Sequence, residues 1–413
     1  MILTEQEEEM LAGKYGAGIQ KAMSLLTKYG EAFGAERLVP IASAHAWPID
    51  PPEFLLDMTK DVERLRAPLV TTHPMAGNFD IDNWRAMGVP PDFAGAETEL
   101  FNKRLPFYQR LNFLQTYTCV PNLVGNIPLK GQFVAFVGTG AQLMTNSLLG
   151  ARTNREGIPS VLASAITGRT PYMGLLMPEN RLAQVVIRLR LQAEKLNLTE
   201  LGAIGYYVGS KAGSRNVVFE NIDNKLTLEQ LKALMVPMPA SGAVGVCHIL
   251  GITPEASTLE EALGGRKPEE MLELGNEEIE DSFLKYPGID GEGVDLVVFG
   301  CPHLTANEIV EVARLLEGKK LKARLWIGAA EQILLLAKRA GCASTIEQAG
   351  GTFVRTCMAG VPSGKYPEGT KVIATNSFKA AHFISRLSGA KTICGSIEEC
   401  VSTAITGKWK AKR

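Results

Sequence analysis

The stretch Asp295–Glu308, DLVVFGCPHLTANE, constrains the fold of this chain more than any other. Leu296–Phe299 is a short apolar, largely β-branched run, the pattern of a buried parallel strand. It stops at Gly300, and Cys301, Pro302 and His303 follow at once. Thr305 is then placed to cap a helix, with Glu308 three residues on and apolar positions at Ile309, Val310, Val312 and Leu315. That is a capping-box start to an amphipathic helix. A thiol, a proline bend and an imidazole therefore fall between a strand's carboxyl end and a helix's amino end. In open α/β sheets that crevice is the usual ligand site. A buried structural cysteine beside a hydrogen-bonded histidine fits this tripeptide equally well.

The alternation continues downstream. Leu321–Trp326 and Ala329–Ala340 read as strand and helix, Val354–Thr356 leads into Cys357, and Val372–Ala374 leads into a helix opened by Lys379 and His382. Such alternation predicts a doubly wound parallel α/β sheet. Upstream, Thr4–Tyr29 reads as two short helices broken near Gly13–Gly18. Leu38–Ala42 and Ala67–Val70 read as strands, with Ser43 and His45 just past the first, and His73, Pro74 and Asn78 past the second. Phe133–Val137 is a third strand, closed by Gly138-Thr139-Gly140. Helices are expected over Pro159–Thr167, Arg181–Lys195 and Thr227–Leu234, a strand over Ala203–Val208, and a strand–turn unit around Cys247, itself a core residue. Ser257–Glu280 reads as acidic and helical, and the terminal GKWKAKR as a solvated basic tail. The chain divides into an α/β part over 1–290 and a second over 291–413, packed around a shared cleft.

Arg152, Asn154 and Arg155 share a glycine-flanked turn before the helix at Pro159. Two arginines at a helix amino end offer a site for a carboxylate or phosphate, though solvated arginines in a capped turn are the plainer alternative. The formal net charge of −1 argues against nucleic acid and polybasic membrane binding. No apolar run approaches the ~20 residues that span a bilayer, and the acidic N-terminus reads as a helix rather than a secretion signal. Seven cysteines scattered over the chain make no disulfide framework, so a reducing, cytoplasmic setting is expected.

Cys119, Cys301 and Cys357 share one setting, a polar loop directly after an apolar run, whereas Cys342, Cys394 and Cys400 look structural. Three thiolates can hold an iron–sulfur cluster and leave one iron open as a Lewis acid. Spacing alone says little, since the three contain no CxxC. The motifs TCVPNLVGNIP, NSLLGARTNREG, ITGRTP, GCPHLTANE, TCMAG and ATNSFKAAH, spread from Ser43 to His382, resemble the aconitase X family, in its catalytic or large-subunit type.

The resemblance implies an aconitase-like fold of parallel doubly wound subdomains around an iron–sulfur cleft, lacking the swivelling domain. It implies dehydration of a small anionic hydroxy acid, 5-phosphomevalonate or cis-3-hydroxy-L-proline in known members. The cluster, [4Fe-4S] in preference to [2Fe-2S], would be held by Cys119, Cys301 and Cys357. Substrate contacts would fall on Ser43, Ala44, His45, His73, Pro74, Gly138, Thr139 and Lys379, joined by the Arg152–Asn154–Arg155 turn. Lys379 and His303 are the candidate catalytic residues, and a small swivelling subunit is the expected partner, supplying the proton-abstracting base. Val137-Gly138-Thr139 departs from the Ser-Glu-Ser usual there, which removes a substrate-facing carboxylate. A cluster-bearing subunit without turnover is the alternative reading.

Overall fold

The computed structural model describes residues 1–47, 57–74, 80–222, 225–358 and 366–411. Three parallel sheets, each with helices on its faces, carry the fold.

The first sheet consists of β2 (Ser43–Ala46) flanked by β3 (Val70–Thr72) and β4 (Val134–Phe136), in the order β3-β2-β4. Side chains alternate across a strand. Ala44, Ala46, Val70 and Ala135 therefore face one way, into a core closed by the helices Ala17–Ala32 and Ile158–Thr167. The expected strand Leu38–Ala42 is in fact two elements: β1 (Leu38–Pro40) pairs antiparallel with β5 (Arg169–Pro171), and β2 begins only at Ser43. Ser43 and His45 thus lie within a strand rather than beyond one. Asn78 lies outside the described residues.

The second sheet, β8-β7-β6-β9, comprises β6 (Val185–Leu189), β7 (Val217–Phe219), β8 (Cys247–Ile249) and β9 (Glu270–Leu274). Two expectations reverse here. The expected helix over Arg181–Lys195 contains β6, whose Val-Val-Ile run packs in the interior. The expected strand over Ala203–Val208 lies in a helix, Leu198–Ala212, capped by the Asn197 side chain with Glu200 completing the capping box. Ser257–Glu280 is not wholly helical, because β9 runs through it. Cys247 is core as expected, fully buried.

The third sheet has the order β12-β11-β10-β13-β14, built from β10 (Leu296–Phe299), β11 (Arg324–Gly328), β12 (Gly351–Val354), β13 (Val372–Thr375) and β14 (Lys391–Cys394), parallel throughout. Its first strand in sequence is the middle one in space, so the winding reverses beside β10. Thr305 caps the following helix, Ala306–Leu316, with Glu308 closing the box. The expected basic tail is not solvated at its tryptophan. Trp409 is buried against Gly288 and Gly395, and its backbone N–H donates to the Glu292 carbonyl at 2.7 Å.

Candidate active site

Cys301 leaves β10 at the point where the winding reverses, the crevice where open α/β sheets bind ligands. The bond to Pro302 is cis. Cys357 lies three residues past the end of β12, and Cys119 lies in a loop laid along β3, where Thr118 N–H donates to the Thr72 carbonyl at 3.1 Å. One residue ties the three loops together. The backbone N–H of His303 donates to Cys119 Sγ at 3.3 Å, its Nδ1 meets Thr118 Oγ1 at 3.2 Å, and its Nε2 meets the Thr356 carbonyl at 3.0 Å. A carbonyl only accepts, so Nε2 carries the proton and Nδ1 accepts from the threonine. Both ring nitrogens are engaged and the ring is 1% exposed, which makes His303 a brace. Ser377, just after β13, donates to the Cys301 carbonyl.

These thiols suit a metal centre by their chemistry. Burial pushes the Cys301 thiol well up, while the Lys379 ammonium pulls it back down; Cys357 and Cys119 act on it as further charged neighbours. A buried thiol of this kind ionises readily only when a cation joins it. Among the described residues, no group of three His, Cys, Asp or Glu closes around a single ion. One tetrahedral ion with ~2.3 Å bonds needs sulfurs about 3.8 Å apart, whereas a multi-iron cluster takes ligands spread more widely. Thiolates are soft donors of the kind that hold iron–sulfur clusters as well as zinc.

The first sheet supplies the opposite wall. Ser43, His45 and Trp47 alternate onto one face of β2 and its extension, and among the described residues Ser43 Oγ, His45 Nε2 and Trp47 Nε1 are buried without a close hydrogen-bond partner, although the Thr118 backbone acts on His45. Three unsatisfied polar atoms in a row are expensive unless something binds there. His73 follows β3 directly, its ring centroid 5.5 Å from that of His45, with the Trp47 indole stacked on it at 4.4 Å. Gly138 follows β4 with φ 83°, and a Cβ there would lie 2.5 Å from His73 Nε2. Only glycine combines that backbone with that approach.

The helix Thr139–Ser147 starts here without a side-chain cap, leaving its first amides to other partners. A Cβ on Gly140 would stand 3.2 Å from Lys379 Nζ, so the ammonium hangs over this first turn. Burial holds His73 well below its ordinary pKa, aided by His45, Lys379 and His303, which places both walls in one electrostatic neighbourhood. His45 is pushed down to about 3 by burial.

Other expected site residues sit elsewhere. The Ala44 methyl is in the first sheet's core, its N–H donates to the Leu69 carbonyl at 2.8 Å, and its carbonyl accepts from Asn126 at 3.2 Å. The Pro74 carbonyl accepts from His73 Nδ1 at 3.0 Å. The Arg152 guanidinium is engaged by Glu255 at 3.3 Å and the Leu176 carbonyl at 3.1 Å. Arg181, which shares Glu255 at 2.6 Å, also binds the Asn146 carbonyl, so this turn is stitched to the second sheet's layer. Asn154 accepts from Leu175 N–H at 2.7 Å and shapes the turn at Gly174. Arg155 is exposed, donating to the Ala243 carbonyl at 3.1 Å.

The supporting residues had little sequence signal. Asp80, its side chain fully buried, takes a two-pronged contact from Arg355 at 2.8 and 2.9 Å and also its backbone N–H at 3.0 Å. Lys232 is buried, donating to the His303 carbonyl at 3.1 Å and to Glu308. Glu308 was visible as a capping residue, but its lysine lies 76 positions away in sequence.

Aconitase X first-, second- and third-domain profiles match residues 1–179, 183–284 and 294–406. The chain is 36% identical to the phosphomevalonate dehydratase large subunit of Methanocaldococcus jannaschii, over 97% of this chain and 99% of that one. It is 31% identical to the cis-3-hydroxy-L-proline dehydratase of Hypocrea jecorina, over 99% of this chain and 70% of that protein. The crystal structure of Thermococcus kodakaraensis aconitase X in its holo-form superposes with a TM-score of 0.85 at 31% identity, covering 98% of this chain and 100% of that one. Both named activities are hydro-lyase reactions, and this chain is an enzyme of that class. With three domain profiles in order and relatives matched along nearly its whole length, the chain belongs to the aconitase X family.

Proposed function

We propose that this chain is the large subunit of an iron–sulfur-dependent dehydratase acting on a small anionic hydroxy acid. The observation that supports it most is the His303 brace, which gathers the loops of Cys119, Cys301 and Cys357 at one place. These three thiols would hold the cluster, [4Fe-4S] in preference to [2Fe-2S]. Once bound, it supplies Lewis-acid assistance to a departing hydroxyl. Lys379 and the first-turn amides of Thr139–Ser147 bind the substrate's anionic group, by charge and by the helix dipole. Ser43, His45, His73, Gly138 and Thr139 line the space between, and the walls come from the parts 1–290 and 291–413.

The partner is a small subunit that closes over the cleft, excludes water and supplies the base. Relatives named as large subunits support this. All seven cysteines are free, which suits the reducing cytoplasm. No helix among the described residues is long and apolar enough to cross a membrane.

The test is anaerobic reconstitution with iron and sulfide, read by visible absorption and iron content. An assay with phosphomevalonate and with cis-3-hydroxy-L-proline follows, with and without the co-encoded small subunit. Iron uptake that persists in a Cys119→Ser, Cys301→Ser, Cys357→Ser triple variant defeats the ligand assignment. Full turnover without the small subunit defeats the partner reading.

A further inference from the structure

One histidine of the ATNSFKAAH motif takes no part in the cleft. His382 lies on the helix Phe378–Leu387, one turn beyond Lys379, with Arg386 a further turn on. Arg386 Nη1 reaches His382 Nδ1 at 2.5 Å. A guanidinium only donates, so Nδ1 accepts and the ring hydrogen sits on Nε2. The Tyr206 hydroxyl meets the same Nδ1 at 3.1 Å and the Tyr286 hydroxyl at 3.0 Å. Both tyrosines are buried, and the Phe378 ring packs against each, which fixes this floor in place. The Lys285 ammonium stands 5.0 Å from the centre of the Tyr206 ring.

Three donors gather on that floor with no acceptor opposite them. His382 Nε2–H, the Nε–Nη2 edge of Arg386 and the Lys285 ammonium have no hydrogen-bond or ion-pair partner among the described residues. Two positive charges flanking one imidazole repel unless an anion joins them. Burial, then Arg386, then Lys285 hold the His382 pKa down at about 4, so the ring is an uncharged donor at neutral pH.

We infer that Lys285, His382 and Arg386 form a second anion site, built for a phosphate group and separate from the cleft. The free edge of Arg386 offers the parallel pair of N–H bonds that two phosphate oxygens accept. His382 Nε2–H meets a third oxygen, and Lys285 supplies a point charge. A carboxylate, with two oxygens, leaves one of these donors unmet. Lys379 lies seven residues back from Arg386, about 10 Å along the helix axis, and its ammonium hangs over the first turn of Thr139–Ser147 instead. The site stands whether or not the chain proves to be a dehydratase.

The test uses the full chain with its histidine rings labelled with 13C, followed in proton–carbon spectra at neutral pH. Of the five histidines only His382 is not buried, and a His382→Gln variant assigns its signal. Inorganic phosphate is titrated in at constant ionic strength. The His382 signal should shift and saturate with a dissociation constant of about 1 mM. Arg386→Gln should weaken binding by about tenfold, the loss of a charge-assisted pair, and Lys285→Gln by a smaller factor. Both side chains are exposed, so neither change threatens the fold. Lys379→Gln should leave the His382 response as it was, and acetate should bind more weakly than phosphate.

A shift that never saturates, or one that survives the Arg386→Gln, Lys285→Gln double variant, overturns the site. A response lost in Lys379→Gln assigns the phosphate to the cleft and overturns the separation. Acetate binding as tightly as phosphate overturns the choice of ligand. Glycerol phosphate distinguishes the sources: tighter binding than inorganic phosphate supports the site as one for a phosphate ester, weaker binding as one for the free ion.

Discussion

Replacing His303 by alanine removes the ring's contacts with the Thr118 hydroxyl and the Thr356 carbonyl. With about 1 kcal/mol for each lost hydrogen bond and the buried ring's packing lost as well, the cost should be on the order of 2–5 kcal/mol, read as a lower urea midpoint. The same variant should hold less iron per chain after reconstitution, because the three loops lose their common tether. Wild-type iron content in a destabilised His303→Ala protein would separate bracing from cluster formation and refute the former's role in the latter. Gly138→Ala meets both a positive φ and a collision with His73. It should cost about 1–2 kcal/mol from the backbone alone and raise KM through the displaced ring; a variant with unchanged midpoint and KM contradicts this.

His45 sets the behaviour in acid. Its folded pKa, about 3, lies below the ordinary value of 6.5, so the unfolded chain takes up the proton first. The contribution is fully present above pH 6.5 and is lost as pH falls from there toward 3, at roughly 2 kcal/mol by pH 5. His73, depressed in the same direction, adds to it. The urea midpoint should fall between pH 7 and pH 5, and His45→Gln should flatten the fall.

Among the elements, the helix Leu198–Ala212 bears most on the site without touching it. A Cβ at Gly205 would lie 1.9 Å from the Leu234 carbonyl, and one at Gly209 2.3 Å from that of Met238. Gly205 lets the helix Leu228–Met235 lie close and Gly209 the short helix Met238–Ser241, and the former delivers Lys232 to the His303 carbonyl and Glu229 to Thr305. Gly205→Ala should destabilise by about 1–3 kcal/mol or more, as overpacking does, and should loosen the Cys301 loop, seen as faster amide exchange from Leu304 to Glu308. Exchange unchanged in a destabilised variant would confine the effect to the second sheet's layer.

The same helix shows why part of the fold was hard to read. Buried nearly all round, it lacks the apolar stripe that marks a surface helix, and its Leu-Gly-Ala-Ile-Gly-Tyr-Tyr-Val run imitates a strand. Asn197 and Glu200, three apart, were the missed signal. By contrast β10 and its helix were legible, because a β-branched run, a glycine stop and the Thr305–Glu308 box all agree. The places of Cys301 and Cys357 just past strand ends were legible for the same reason, whereas Cys119 lies in a loop that follows a helix. The brace was not, since Thr118 and Thr356 lie 185 and 53 positions from His303.

Across the whole molecule, Arg355 and Asp80 clamp the first part of the chain to the third sheet, two residues before Cys357. Asp80→Asn should cost about 1–3 kcal/mol, since Arg355 keeps Asp82 and Glu331 as partners, and should make the first and third sheets unfold at different urea concentrations. Coincident transitions by tryptophan fluorescence and far-ultraviolet circular dichroism would show that other contacts hold the two together. Arg355→Lys loses the planar fork and should fall between the Asp80→Asn variant and wild type.

The wide separation of the three thiols also sets a timetable. Cys119 is synthesised 357 − 119 = 238 residues ahead of Cys357, and at about 5–20 residues per second that is roughly 10–50 s of ribosome time. Until the end of that interval the set of three thiols is incomplete, and for most of it Cys301 and the histidine beside it are missing too. Iron delivered to the growing chain would find no complete seat. On the proposed ligand assignment, loading falls to carriers that meet the chain late, and a ribosome-arrested chain stopped before His303 should take up no iron that survives a chelator wash.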